Sequence, residues 1–228
     1  MKHYVGVVLA FVLMLGGAVV ATAQKANPAS DFKYDLNSEG TGVIIQKYKG
    51  TATEVVIPSV IEDFPVVELK GEAFDGGGDK RAKIVSVVIP DSVVELGKNV
   101  FSSCESLKKV ILPKDLDRIP GAFFVGCTAL EEITLSDKIQ AIGGAAFSRC
   151  TSLKTVTIGS GIKGIGNSAF KDCSSLTTFN IGVEEIGGKK NSWDYGKEGY
   201  DYDVFNGCSS LSLKARKKIR DSGYTGGF

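Results

Sequence analysis

Five cysteines, one histidine and a glycine-rich hexapeptide are the residues of this 228-residue chain whose types could do chemistry. Cysteine and histidine ligate zinc, and either can act in nucleophilic catalysis. His3 is the sole histidine and lies in a leader expected to be removed. The mature chain then has no imidazole, which excludes Ser-His-Asp and Cys-His catalysis and His-ligated metals within one chain. The cysteines are Cys104, Cys127, Cys150, Cys173 and Cys208, and no C-x₂-C pair occurs among them. Zinc needs ligands converging from short pairs. All five occupy one position of a repeat, so they are expected to stack as an internal ladder. Neighbouring coils could bring Cα atoms within disulfide reach, but a buried free thiol acting as a small hydrophobe is the preferred reading. Gly159-Ser160-Gly161-Ile162-Lys163-Gly164 matches G-x-G-x-x-G. That fingerprint requires a long helix within a βαβ unit, whereas here it coincides with an ordinary corner of the repeat. Asp79-Lys80 after Gly76-Gly77-Gly78 lacks the Gly-Lys-Ser/Thr of a P-loop. No catalytic residue, metal site or cofactor is assigned.

The elements that must position these residues come from the repeat itself. Phe101/Cys104, Phe124/Cys127, Phe147/Cys150, Phe170/Cys173 and Phe205/Cys208 share one spacing, and the first four are 23 residues apart. Leu107, Leu130, Leu153, Leu176 and Leu211 follow each cysteine by three. Apolar pairs two apart come next: Val110/Leu112, Ile133/Leu135, Val156/Ile158 and Phe179/Ile181, with weaker copies at Val55/Ile57 and Val87/Ile89. Alternation with period two predicts short strands with one buried face, and a period in the twenties predicts a solenoid. The expected fold is a leucine-rich-repeat solenoid of about six coils, with a parallel sheet on one face about 25 Å long. The segment through Phe and Leu is expected to form one helical or 3₁₀ turn per coil. Gly97, Gly143, Gly166 and Gly187 follow a second apolar pair, where a left-handed corner is expected.

The ends need covers. Phe32 to Leu36 and Val43 to Tyr48 read as a β-hairpin. Leu211, Leu213, Ala215 and Ile219 would lie on one face of a capping helix from Ser212 to Asp221, stopped by Gly223. Ahead of these, Val5 to Val20 carry no charge and lead to Ala21-Thr22-Ala23, the small-x-small pattern of a signal-peptidase site. The expected organisation is a signal peptide at 1–23, an N-terminal β cap at 24–52, the solenoid at 53–211 and a helical cap at 212–228. Cleavage would remove Lys2 and no acid, leaving 26 bases against 26 acids. That balance argues against nucleic acid or an anionic membrane as partner, and no membrane span is expected after cleavage. The basic run Lys214 to Lys218 reads as the solvated face of the capping helix.

Two features stand outside the repeat. Ile186 and Phe205 are nineteen apart where five is the rule. The insertion, at 188–203, holds Trp193, Tyr195, Tyr200 and Tyr202. Loops on rigid scaffolds carry function, and Trp and Tyr are favoured binding anchors. Equally, the loop could fold back over apolar surface. The second feature is the outward row of the strands, Val56, Val88, Ile111, Thr134, Thr157 and Asn180, apolar in its first half and polar in its second. Lys109 stands in the flanking row. An exposed apolar stripe points to a protein partner, a hydrophobic ligand or a covering loop, with plain strand propensity as the alternative.

Ala145-Ala146-Phe147-Ser148-Arg149-Cys150-Thr151-Ser152-Leu153-Lys154-Thr155-Val156-Thr157-Ile158 and its copies resemble the BspA-like, or treponemal-type, leucine-rich repeats of bacterial surface proteins. The entry block Val56-Ile57-Pro58 through Phe74 and the close at Gly223-Tyr224-Thr225-Gly226 resemble that family too. The resemblance implies a right-handed curved solenoid on an exported protein at the cell surface, in the periplasm or secreted. It also implies adhesion or protein binding, with a host or extracellular-matrix partner among those the family suggests. The expected function is a non-enzymatic binding module using Val56, Val88, Ile111 and Lys109 with the aromatic insertion. A self-associating envelope component and a binder of a small hydrophobic ligand are the alternatives. A hydrolase is disfavoured for want of a nucleophile–base pair.

Overall fold

The structure is a computed structural model and describes residues 9–15, 18–75, 83–182 and 203–228. The leading strands β1 (Leu9–Leu15) and β2 (Ala18–Gln24) pair antiparallel. Next, β3 (Phe32–Leu36) and β4 (Val43–Tyr48) form the expected hairpin. Asn37 accepts through its side chain from the Thr41 and Gly42 N–H groups and so closes the turn. From there the chain winds as a solenoid. One strand row runs β5 (Glu54–Val56), β8 (Ser86–Val88), β10 (Lys109–Ile111), β12 (Glu132–Leu135), β14 (Thr155–Ile158) and β16 (Thr178–Ile181). A second row starts from the hairpin of β6 (Val60–Ile61) and β7 (Phe64–Leu69). It continues through β9 (Glu95–Leu96), β11 (Arg118–Ile119), β13 (Ala141–Ile142) and β15 (Gly164–Ile165).

The third side of each coil holds the Phe-x-x-Cys segment, and it is built differently from the expectation. No helical turn forms there. A chain of tight turns replaces it, with Cys104 N–H donating to Phe101 O at 3.2 Å and Leu107 N–H to Cys104 O at 3.0 Å. Two positions per coil adopt positive φ. Asn99, Ala122, Ala145 and Ser168 stand two before the Phe, and Ser103, Gly126, Arg149, Asp172 and Gly207 stand one before the Cys. A left-handed residue inside the turn stops a helix from continuing.

The corner glycines also differ in their reason. Gly97 and Gly143 do not have positive φ. Instead, a Cβ on either would collide with backbone of the preceding coil, at Gly71 and Gly121 respectively. They are glycine for close approach. Gly187 lies outside the described residues.

Phe74, Phe101, Phe124, Phe147, Phe170 and Phe205 stack at centroid spacings of 5.1, 5.7, 5.3, 5.2 and 5.6 Å. Tyr48 continues the column at 5.4 Å from Phe74, and Tyr224 ends it edge-on against Phe205. The five cysteines are free and buried. Each donates its S–H to the carbonyl of the repeat phenylalanine one coil back, as Cys104 does to Phe74 at 3.0 Å and Cys150 to Phe124 at 3.2 Å. Burial raises the Cys150 thiol to about 12, with a hydrogen bond from the Cys127 backbone pulling the other way. These are structural thiols, not nucleophiles.

The C-terminal helix α1 (Leu213–Asp221) is capped by Ser212, whose hydroxyl accepts from Ala215 N–H. Ala215 and Ile219 are buried, one turn apart on the core face. Leu213 was expected on that face but is 87% exposed, because it lies about 200° around the helix from Ala215.

Candidate binding surface

The six strands of the first row do not form the single expected sheet. They form two ladders of three, β5–β8–β10 and β12–β14–β16. The registers match the repeat, with Val56 beside Val88 beside Ile111, and Thr134 beside Thr157 beside Asn180. Between β10 and β12 no strand pairing and no backbone hydrogen bond is formed. Their register-equivalent Cα atoms reach separations of more than 8 Å, against about 4.8 Å between paired strands.

Several sequence departures lie around the two interruptions. Gly97, Gly143 and Gly166 each donate N–H to the coil before, at Leu69, Ile119 and Ile142. Pro120 takes that place in the intervening coil and has no N–H to give. The second row breaks there: β9 pairs with β7 and β11 with β13, but β9 and β11 do not pair with each other. Pro58, Pro90 and Pro113 likewise follow β5, β8 and β10, whereas Gly159 and Gly182 donate from the same position to Leu135 and Ile158 at 3.0 and 2.9 Å. The proline-ended strands are therefore one residue shorter than those of the second ladder. Phe123 completes the set. Neighbouring coils have Ala146, Ala169 or Val100 in its position. Its ring stands perpendicular to both Phe101 (5.4 Å, 83°) and Phe124 (4.7 Å, 89°), between the levels of β10 and β12. The Phe101–Phe124 step is the widest of the column at 5.7 Å. Phe179 sits in the same way between Phe170 and Phe205, the next widest at 5.6 Å.

A cavity of about 590 Å³ opens on the strand face at the break. Buried Ile133 and half-buried Val110 form its floor, with Lys108, Lys109, Glu131, Glu132 and Lys154 among its other lining residues. Lys154 Nζ lies 2.8 Å from Glu131 Oε2, and this hydrogen bond holds the Glu131 carboxyl below its ordinary range, with Lys108 adding to the effect.

The expected site residues divide. Lys109 lines the cavity, and Ile111 is half-buried beside it on β10. Val56 and Val88 are not an exposed stripe: they are 7% and 3% accessible. At Val56 the chain entering the cap runs alongside, Asn27 donating to Val56 O (2.9 Å) and accepting from Val56 N–H (2.8 Å). Val88 is on the central strand, flanked at register by Val56 and Ile111. Trp193, Tyr195, Tyr200 and Tyr202 lie outside the described residues. Val110, Ile133 and Lys108 went unassigned as site residues because each conforms to its repeat position. The signal for them was Pro120 and Phe123, two departures nearby. Among the described residues no group of three His, Cys, Asp or Glu could hold a metal ion.

Coils stacked on parallel ladders, with a phenylalanine column and a cleft on the strand face, define a leucine-rich-repeat solenoid. The family model of the BspA type leucine rich repeat region matches residues 79–192 in six copies, and the chain belongs to that family. It is similar to the solved leucine-rich repeat protein of T. pallidum at 29% identity and a TM-score of 0.68, over 90% of this chain and 99% of that one. A leucine-rich repeat protein from Bacteroides ovatus shares 27% identity at a TM-score of 0.63, over 79% of this chain and 44% of the other. No curated protein matches.

Proposed function

We propose that this chain is an exported, non-enzymatic binding module that holds a protein partner on its strand face, at the cleft between β10 and β12. The observation that carries this reading is the cleft itself, about 590 Å³ in volume, apolar at its floor and charged at its rim. That volume falls in the range of ligand pockets, and the lining is mostly charged and polar, with Val110 and Ile133 its two apolar residues. Export rests on the uncharged stretch Val5 to Val20 leading to Ala21-Thr22-Ala23 and on the surface role that the family resemblance implies. Trp193, Tyr195, Tyr200 and Tyr202 supply a second contact from the insertion.

The test is capture of a partner from the natural surroundings by the purified chain and by Ile111→Asp, Lys109→Glu and Trp193→Ala. Ile111→Asp is expected to weaken capture about tenfold, since it sets a charge on the half-buried β10 position beside the cleft. Capture unchanged by all three substitutions would overturn the reading. Concentration-dependent assembly of the chain, lost with the same substitutions, would replace the partner by a second copy.

A further inference from the structure

The gap between β10 and β12 has a defined backbone chemistry as well as a volume. Thr155 N–H donates to Glu131 O and Gly159 N–H to Leu135 O, so positions 155, 157 and 159 face the coil before. One repeat earlier, the backbone of Glu132, Thr134 and Ser136 faces β10, where no strand is paired with it. By the same alternation Val110 and Leu112 of β10 face β12. Two parallel strand edges thus look at each other across a gap too wide to close. One extended strand between them needs about two inter-strand spacings, roughly 9–10 Å, and at least one register-equivalent Cα pair across the gap is more than 8 Å apart. Backbone recognition at such edges is the chemistry of strand addition.

Resting on the binding reading above, we infer that the cleft takes an extended peptide segment of the partner as an added strand between β10 and β12, an apolar residue on Val110 and Ile133 and an acidic neighbour toward Lys108. The lining supports the side-chain part. Its apolar lining residues are Val110 and Ile133, and with Lys154 and Glu131 paired to each other, Lys108 lends positive charge beside them. The added strand would satisfy the backbone groups left facing each other across the gap.

Three capped heptapeptides test this against the purified full chain: one alternating Glu and Val, one alternating Lys and Val, and the Glu/Val peptide N-methylated at alternate residues. The Glu/Val peptide is expected to bind about tenfold more tightly than either other peptide, N-methylation removing one row of donors. Hydrogen exchange should show the Glu132 and Thr134 amides gaining protection on binding. Phe123→Leu, with Phe123→Ala as the stronger variant, should let the levels approach. Both amides are then protected without peptide, and the affinity falls. Failure of the Glu/Val peptide to bind, equal binding of the N-methylated peptide, or binding that leaves Glu132 and Thr134 unprotected would each overturn strand addition. If Ile111→Asp weakens partner capture while N-methylation changes nothing, strand addition alone fails. If Ile111→Asp, Lys109→Glu and Trp193→Ala all leave capture unchanged, the binding reading fails with it.

Discussion

The phenylalanine side and the strand side of the same coils behave differently. On the phenylalanine side every described level bonds to the next, from Phe74 N–H to Val100 O through Phe101 to Phe123, Phe124 to Ala146, Phe147 to Ala169 and Phe170 to Val204. On the strand side both rows are cut, one on each flank of the coil that carries β10 and β11. The difference teaches where constraint resides. A stacked ring, a thiol bound to a carbonyl and a buried leucine fix the phenylalanine side at each level. The strand side depends on backbone donors: Pro120 removes one where the second row is cut, and the Phe123 ring stands at the level where the first row is cut. A solenoid built this way can open a cleft without losing its core.

Predictions on the continuous side come first, because the effects there are largest. Phe147→Ala removes a fully buried ring from mid-column and should cost about 3–5 kcal/mol in urea unfolding. A loss below about 1 kcal/mol would mean that the column is not the main support. Gly143→Ala should cost about 1–3 kcal/mol, since its Cβ meets the Gly121 backbone. Arg149→Gly, at φ 60°, should by contrast be neutral or stabilising by up to about 1 kcal/mol. A neutral Gly143→Ala would contradict the close approach to Gly121.

The thiol ladder gives a pH signature. Burial raises Cys150 from 9.0 to about 12. Unfolded chains release this proton at lower pH than folded ones, so its stabilising contribution is complete below pH 9 and is lost as pH rises from 9 toward 12. Cys150→Ala should flatten that part of the stability profile, and native protein at pH 8 should resist thiol alkylation until unfolded. Rapid native labelling of Cys150 would contradict its burial. The smallest effect belongs to the cleft rim. Lys154→Ala breaks an exposed ion pair and should leave the urea midpoint unchanged.

Most of the solenoid was legible because each buried position recurs with the same residue type. Phe, Cys, Leu and the strand pairs declare the core, and the hairpin and the helix cap follow from local pattern. The left-handed positions were not legible, since Asn99, Ala122, Ala145 and Ser168 share no residue type that favours positive φ. Leu213 misled because an apolar residue at a helix start can face solvent, and Val56 and Val88 misled because alternation fixes a face and not what lies over it. The cleft escaped because it is made by backbone groups left unpaired. Pro120 in a glycine position, and Phe123 in an alanine or valine position, were its only marks in the sequence.

Hydrogen exchange of backbone amides in the unliganded chain tests the central claim most directly. The interrupted ladder predicts that Glu132 and Thr134 exchange far faster than Thr155 and Thr157 one coil later, while Phe101 and Phe124 on the other side of the same coils stay protected. Equal protection of Thr134 and Thr157 would contradict it, because the strand face would then be one continuous sheet with no cleft to bind anything.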